Sequence, residues 1–76
     1  MKVGDRVTLV KHVGVGKIGD TGTIIYYHDS DYISVKWDRN IGGHDCDGKC
    51  KQGYGWNVTQ REIKSLRVSN WKLRLK

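Results

Sequence analysis

The run GTIIYYHDSDYISVKW, residues 22–37, reads as two strands around a turn. Residues 22–27 are β-branched and aromatic, side chains that suit a pleated, half-buried surface. Residues 32–37 alternate, with Ile33, Val35 and Trp37 on one face and Tyr32 and Lys36 on the other. The polar stretch His28-Asp29-Ser30-Asp31 between them is the turn of a hairpin. Neighbours on a strand face opposite sides, so one of Tyr26 and Tyr27 belongs to the core and the other to the surface.

Residues 3–10 (VGDRVTLV) alternate from position 5 and predict a first strand. Residues 11–21 hold Gly14, Gly16 and Gly19 and predict a long loop. Residues 38–53 form a polar insert with Gly42, Gly43, Gly48 and Gly53. Residues 54–58 (YGWNV) and 63–68 (IKSLRV) predict two further strands, with a turn of 3₁₀ helix at 59–62 between them. No window of useful length has helical periodicity. The expected fold is therefore all-β: a five-stranded SH3-like barrel with a long Gly-rich loop between strands 3 and 4. It fills residues 1–68, and residues 69–76 are a basic C-terminal strand or tail.

The chain has 76 residues. A domain of this size buries only about 60–65% of its unfolded surface, which leaves a thin core and little scaffold for a catalytic pocket. No stretch of 18 apolar residues is present, and the N-terminus lacks the apolar run of a signal peptide. A cytoplasmic protein without membrane contact is expected. The net charge is +6, but it is concentrated. Residues 1–63 carry nine Lys and Arg against eight acids, whereas residues 64–76 carry Lys64, Arg67, Lys72, Arg74 and Lys76 and no acid. The basic character that could attract an acidic partner thus lies in that last segment.

Gly4-Asp5-Arg6-Val7, followed by Gly19-Asp20-Thr21-Gly22-Thr23-Ile24-Ile25, resembles the opening of a KOW-type SH3-like module. Val35-Lys36-Trp37-Asp38 with Gly42-Gly43-His44-Asp45 and Gly48 is similar in layout to CAP-Gly domains, although their GKNDG-type loop reads GGHDCDG here. The Mib–Herc2 domain has a similar Gly-Thr-Val and Val-x-Trp-Asp run. Modules of these kinds bind RNA, DNA, peptide tails or host proteins, and small proteins of this sort also occur in phages. The CAP-Gly likeness implies capture of an acidic tail. The glycine loop with Gly43, His44, Lys49 and Lys51 would hold carboxylates, and Tyr54 and Trp56 would flank them.

Within the insert, His44, Cys46 and Cys50 supply three zinc-type ligands in seven residues. A fourth would come from Asp45, Asp47, His28 or His12, and the competing reading is two reduced thiols or a local disulfide. Asp45-x-Asp47-Gly48 is a fragment of a calcium loop without its downstream Glu, beside Lys49 and Lys51. A nucleophilic Cys next to His44 has no third orienting group, so no catalytic residue and no small-molecule substrate are expected.

Exposed aromatics on such a sheet line grooves for peptides or unstacked bases. Core positions are expected for Trp37 and Trp56, and exposed ones are open to Tyr32 and Tyr54. In NWKLRLK, Trp71, Leu73 and Leu75 alternate with Lys72, Arg74 and Lys76, giving one apolar and one basic face. The leading expectation is a non-enzymatic binding module, monomeric or weakly dimeric. It contacts nucleic acid through Lys64, Arg67, Trp71, Lys72, Arg74 and Lys76. The alternative is a protein-binding adaptor or inhibitor working through residues 42–56 against an acidic protein surface.

Overall fold

The computed structural model describes residues 1–66. The strands are β1 (Arg6–Leu9), β2 (Thr21–Asp29), β3 (Tyr32–Trp37), β4 (Gly55–Val58) and β5 (Ile63–Ser65), with a 3₁₀ turn at Gln60–Glu62. They form one antiparallel sheet in the order β4-β3-β2-β1-β5. Strands β1 to β4 pair in sequence order, and the 3₁₀ turn carries the chain across so that β5 pairs with β1. No ladder joins β4 to β5 among the described residues.

The central hairpin is longer and tighter than its sequence predicts. Asp29 pairs with Tyr32, leaving Ser30 and Asp31 as a two-residue turn. The Asp31 amide donates to Asp29 Oδ1 at 2.8 Å, a side-chain mimic of a backbone turn bond. The register shifts between Ile24 and Tyr26, a bulge that absorbs Ile25.

The alternation of β3 sets the core. Ile33, Val35 and Trp37 are fully buried, and Val7, Leu9, Ile24, Val58 and Ile63 meet them from the other strands. Tyr27 packs against this cluster while Tyr26 faces solvent. Ile41 reaches it from the insert, and Trp56 packs on its flank.

Beyond the strand ends, one exposed and one half-buried carboxylate tie distant segments together. Asp38, just after β3, accepts from Arg6 Nη1 at 2.8 Å and from Thr21 Oγ1 at 2.6 Å. Asp20 accepts from Arg39 Nε at 2.8 Å and from the Lys17 amide at 2.9 Å. The Arg6 guanidinium and then the Thr21 hydroxyl hold the Asp38 carboxyl down to about 2, and Arg39 lowers Asp20 in the same direction. A carboxyl whose pKa is lower folded than unfolded stabilises the fold above its unfolded pKa, about 3.9. That contribution disappears as pH falls from about 4 towards 2. Thermal melts followed by circular dichroism are expected to drop across this window in the wild type. Asp38→Asn should lower the melting temperature at neutral pH and flatten the acid limb. An unchanged acid limb in that variant would refute the assignment.

Candidate functional site

One anomaly in β3 leads to the site. Alternation places Ser34 opposite the core, yet it is 3% exposed. Its hydroxyl donates to Asn57 Oδ1 at 2.7 Å, across the β3–β4 pair. The cover is the insert, which folds back over the outer face of β3 and β4 and buries Cys46 there.

Glycines permit this fold-back. His44 and Gly55 exchange both backbone hydrogen bonds at 2.8 Å, forming an isolated bridge. The Gly43 amide donates to the Gly53 carbonyl at 3.1 Å. A Cβ on Gly43 would run into the Gly55 carbonyl, and one on Gly55 would lie 2.5 Å from Cys46 Sγ and 2.8 Å from Cys50 Sγ. The insert thus sits on backbone, not on side chains. Cys46 and Asp47 adopt positive φ of 50° and 58° at its outer bend.

Between the insert and the far end of the central hairpin lies a groove of about 540 Å³. Its floor is the outer sheet face, with Tyr26, Tyr32 and His28 beside Ser34. Its wall is the insert, with Asp45, Asp47 and Lys49. Tyr26 and Tyr32 are both exposed, at 38% and 42%. The three rings are mutually close. Tyr32 stands at 82° to Tyr26 (centroids 5.9 Å apart) and at 70° to His28 (6.1 Å), while Tyr26 and His28 are 12° from parallel at 6.4 Å. Lys49 Nζ lies over the Tyr26 ring, 5.1 Å from its centroid, a cation–π contact.

The residues expected from sequence to form a peptide site divide between two places. His44 and Lys49 line the groove. Trp56 lies behind it, with its ring 5.3 Å from that of His44 and its edge beneath Gly14. Lys51 sits over the Tyr54 ring at 5.8 Å, away from the groove lining, and Gly43 is spine, not surface. Tyr26, His28, Asp45 and Asp47 are groove residues that the expected peptide site did not include. The signal for the first two was present: Tyr26 and His28 are two apart on a strand and share a face. Lys64 is exposed on β5, whereas Arg67, Trp71, Lys72, Arg74 and Lys76 lie outside the described residues.

Of the zinc-type trio, the Cys46 amide donates to His44 Nδ1 at 2.9 Å, which leaves Nε2 as the remaining nitrogen of that ring. Cys46 and Cys50 are free thiols in contact beside Gly55. Among the described residues no group of three or more His, Cys, Asp and Glu side chains is placed to share a metal ion. Burial, followed by the neighbouring Cys50 thiol, pushes the Cys46 thiol up to about 11. Cys46 is thus held as the thiol at pH 8, and the thiolate is the reactive form. Iodoacetamide at pH 8 is expected to alkylate the half-buried Cys50 first and Cys46 only after unfolding in guanidinium. Peptide mass mapping over time checks this, and equal rates in the folded protein would count against it.

No described helix is long and apolar enough to cross a membrane. Set beside protein-family models, curated proteins and solved structures, the chain matches none of them.

Proposed function

We propose that the protein is a non-enzymatic binding module whose ligand site is the groove between the central hairpin and the insert, and that the ligand is a segment of a protein partner. The observation that carries this reading is the exposure of Tyr26 and Tyr32 in a concave site built on paired strands. Large rings left in solvent on a rigid sheet supply contact area at little entropic cost to the binder. The groove is also lined by Asp45 and Asp47, which oppose a phosphate backbone. This favours protein over nucleic acid at this site.

A ¹⁵N-HSQC titration of the full chain with pooled decapeptides tests the reading. Shifts are expected at Tyr26, Tyr32, His44 and Lys49, and Tyr32→Ala should weaken the binding that produces them with the remaining spectrum intact. Shifts confined to other surfaces would refute it.

A second reading rests on charge. Residues 67–76 carry Arg67, Lys72, Arg74 and Lys76 with no acid, adjoining exposed Lys64 on the edge strand β5. With Lys64 this gives up to five phosphate contacts, so nucleic-acid affinity should fall with salt at a log–log slope of about −3 to −4.5. A single-stranded oligonucleotide titrated at low and at 0.3 M salt checks this, and a flat salt dependence removes it. The KOW-type likeness of the opening segment agrees with this reading. The CAP-Gly likeness agrees with a protein partner, but its acidic-tail ligand fits the observed groove poorly.

A further inference from the structure

We propose that the groove is a receptor for a cationic side chain, a lysine or arginine on a partner polypeptide, and that Lys49 is its resident occupant, displaced when the partner binds. This deepens the reading of the groove as a protein-binding site and rests on it. Three observations converge. First, the rings are not all parallel: Tyr26 and His28 lie 12° from parallel, Tyr32 stands at 82° and 70° to them, and all three centroids lie within 6.4 Å of one another. An aromatic face carries negative quadrupole charge and attracts cations, and rings set around one space are a known means of holding an ammonium group. Second, the same space already attracts one, because Lys49 Nζ lies 5.1 Å from the centre of the Tyr26 ring. Third, the wall carries two carboxylates, Asp45 and Asp47, and no ion pair joins either to a described residue. An anionic ligand would meet both carboxylates, whereas a cation would meet opposite charge and ring faces together.

Lys49 gives the site a built-in competitor. Its ammonium is on a flexible stem and can swing into solvent, so an incoming cation replaces it without a change in the fold. Removing it should therefore strengthen binding, the reverse of the effect expected if Lys49 itself grips an acidic ligand.

The test uses four capped decapeptides that alternate Gly with Lys, Arg, Ser or Glu, titrated into the full chain and followed by ¹⁵N-HSQC and tyrosine ring shifts. The Lys and Arg peptides are expected to shift Tyr26, Tyr32 and Lys49, and the Ser peptide to leave them unmoved. Tyr26→Ala and Tyr32→Ala should each weaken the Lys peptide by about fivefold or more. Both tyrosines are exposed, so these variants keep the fold. Lys49→Ala should tighten it about threefold. Binding of the Glu peptide alone, or weakened binding in Lys49→Ala, would overturn the cationic ligand while leaving the groove as a protein site. If no peptide shifts the groove, or if a deoxythymidine oligonucleotide does so instead, the cationic ligand and the protein-site reading both fail. A ligand-free variant with Lys72, Arg74 and Lys76 changed to Gln must keep the wild-type ring shifts. Altered shifts there would make the chain's own basic segment the occupant and overturn the partner assignment.

Discussion

Trp37→Ala is expected to remove about 3–5 kcal/mol of folding stability, the usual range for deleting a buried aromatic side chain. Trp37 is the largest of the fully buried residues and lies at the end of β3, paired with Gly22 of β2. Close packing against Gly22 explains the choice of glycine there, since a Cβ would lie 2.7 Å from Val35 Cγ1 and 3.0 Å from Trp37 Cα. A domain of 76 residues has a total stability of about 4–11 kcal/mol, so one such loss takes most of the margin. The melting temperature should fall by at least about 12 °C. Trp37→Phe separates packing from polarity. The indole Nε1 is buried without a hydrogen-bond partner among the described residues, and a buried unpaired donor costs about 1–3 kcal/mol. Phenylalanine keeps much of the ring and removes that donor, so its penalty should be less than half that of alanine. Equal penalties in circular-dichroism melts would mean that the indole nitrogen is satisfied after all.

The strand pattern was legible because it depends on side-chain period alone. Ile33, Val35 and Trp37 face the core as their spacing requires, and Tyr27 rather than Tyr26 packs inward. Boundaries were less legible. The first strand begins at Arg6, later than its apolar pattern: Val3 is exposed, and residues 2–5 form a turn in which the Asp5 carboxylate accepts from the Lys2 amide at 3.0 Å, while Gly4 and Asp5 still exchange backbone bonds with Ile24. Tyr54 sits just before β4: its amide closes a turn on the Lys51 carbonyl at 3.1 Å, while its carbonyl accepts from the Trp37 amide at 2.7 Å.

The groove was half legible. Exposed aromatics and the Gly-rich insert each stood out in the sequence, but nothing in it said that they meet. Their meeting depends on the path of residues 38–54, which is anchored at its start by the Asp38 and Arg39 side chains and by Ile41 in the core, and further along by the buried Cys46 and by backbone bonds from Gly43, His44 and Gly53. Backbone contacts leave no periodic trace. The burial of Ser34, which strict alternation forbids, marks the region where the insert covers the sheet.

Gly55→Ala should therefore detach function from fold. The new methyl would lie within 2.8 Å of Cys46 Sγ, Cys50 Sγ and the His44 carbonyl oxygen. Such overpacking costs about 1–3 kcal/mol, and here it lands on the bridge that anchors the insert. The five-stranded sheet has its core on the opposite face and should survive, while the wall bearing Asp45, Asp47 and Lys49 lifts off and groove binding is lost. Adding Cys46→Ala and Cys50→Ala to Gly55→Ala removes the two sulfurs and should restore about half of the lost stability, a coupling that a double-mutant cycle reads directly. Gly43→Ala has no such remedy, because its obstacle is the Gly55 carbonyl itself, and it should remain at the full penalty in any cysteine background. Rescue at Gly55 but not at Gly43 would show that the insert is seated by close backbone approach. Rescue at both would place the strain in the thiols, and rescue at neither would mean that the insert is held from elsewhere.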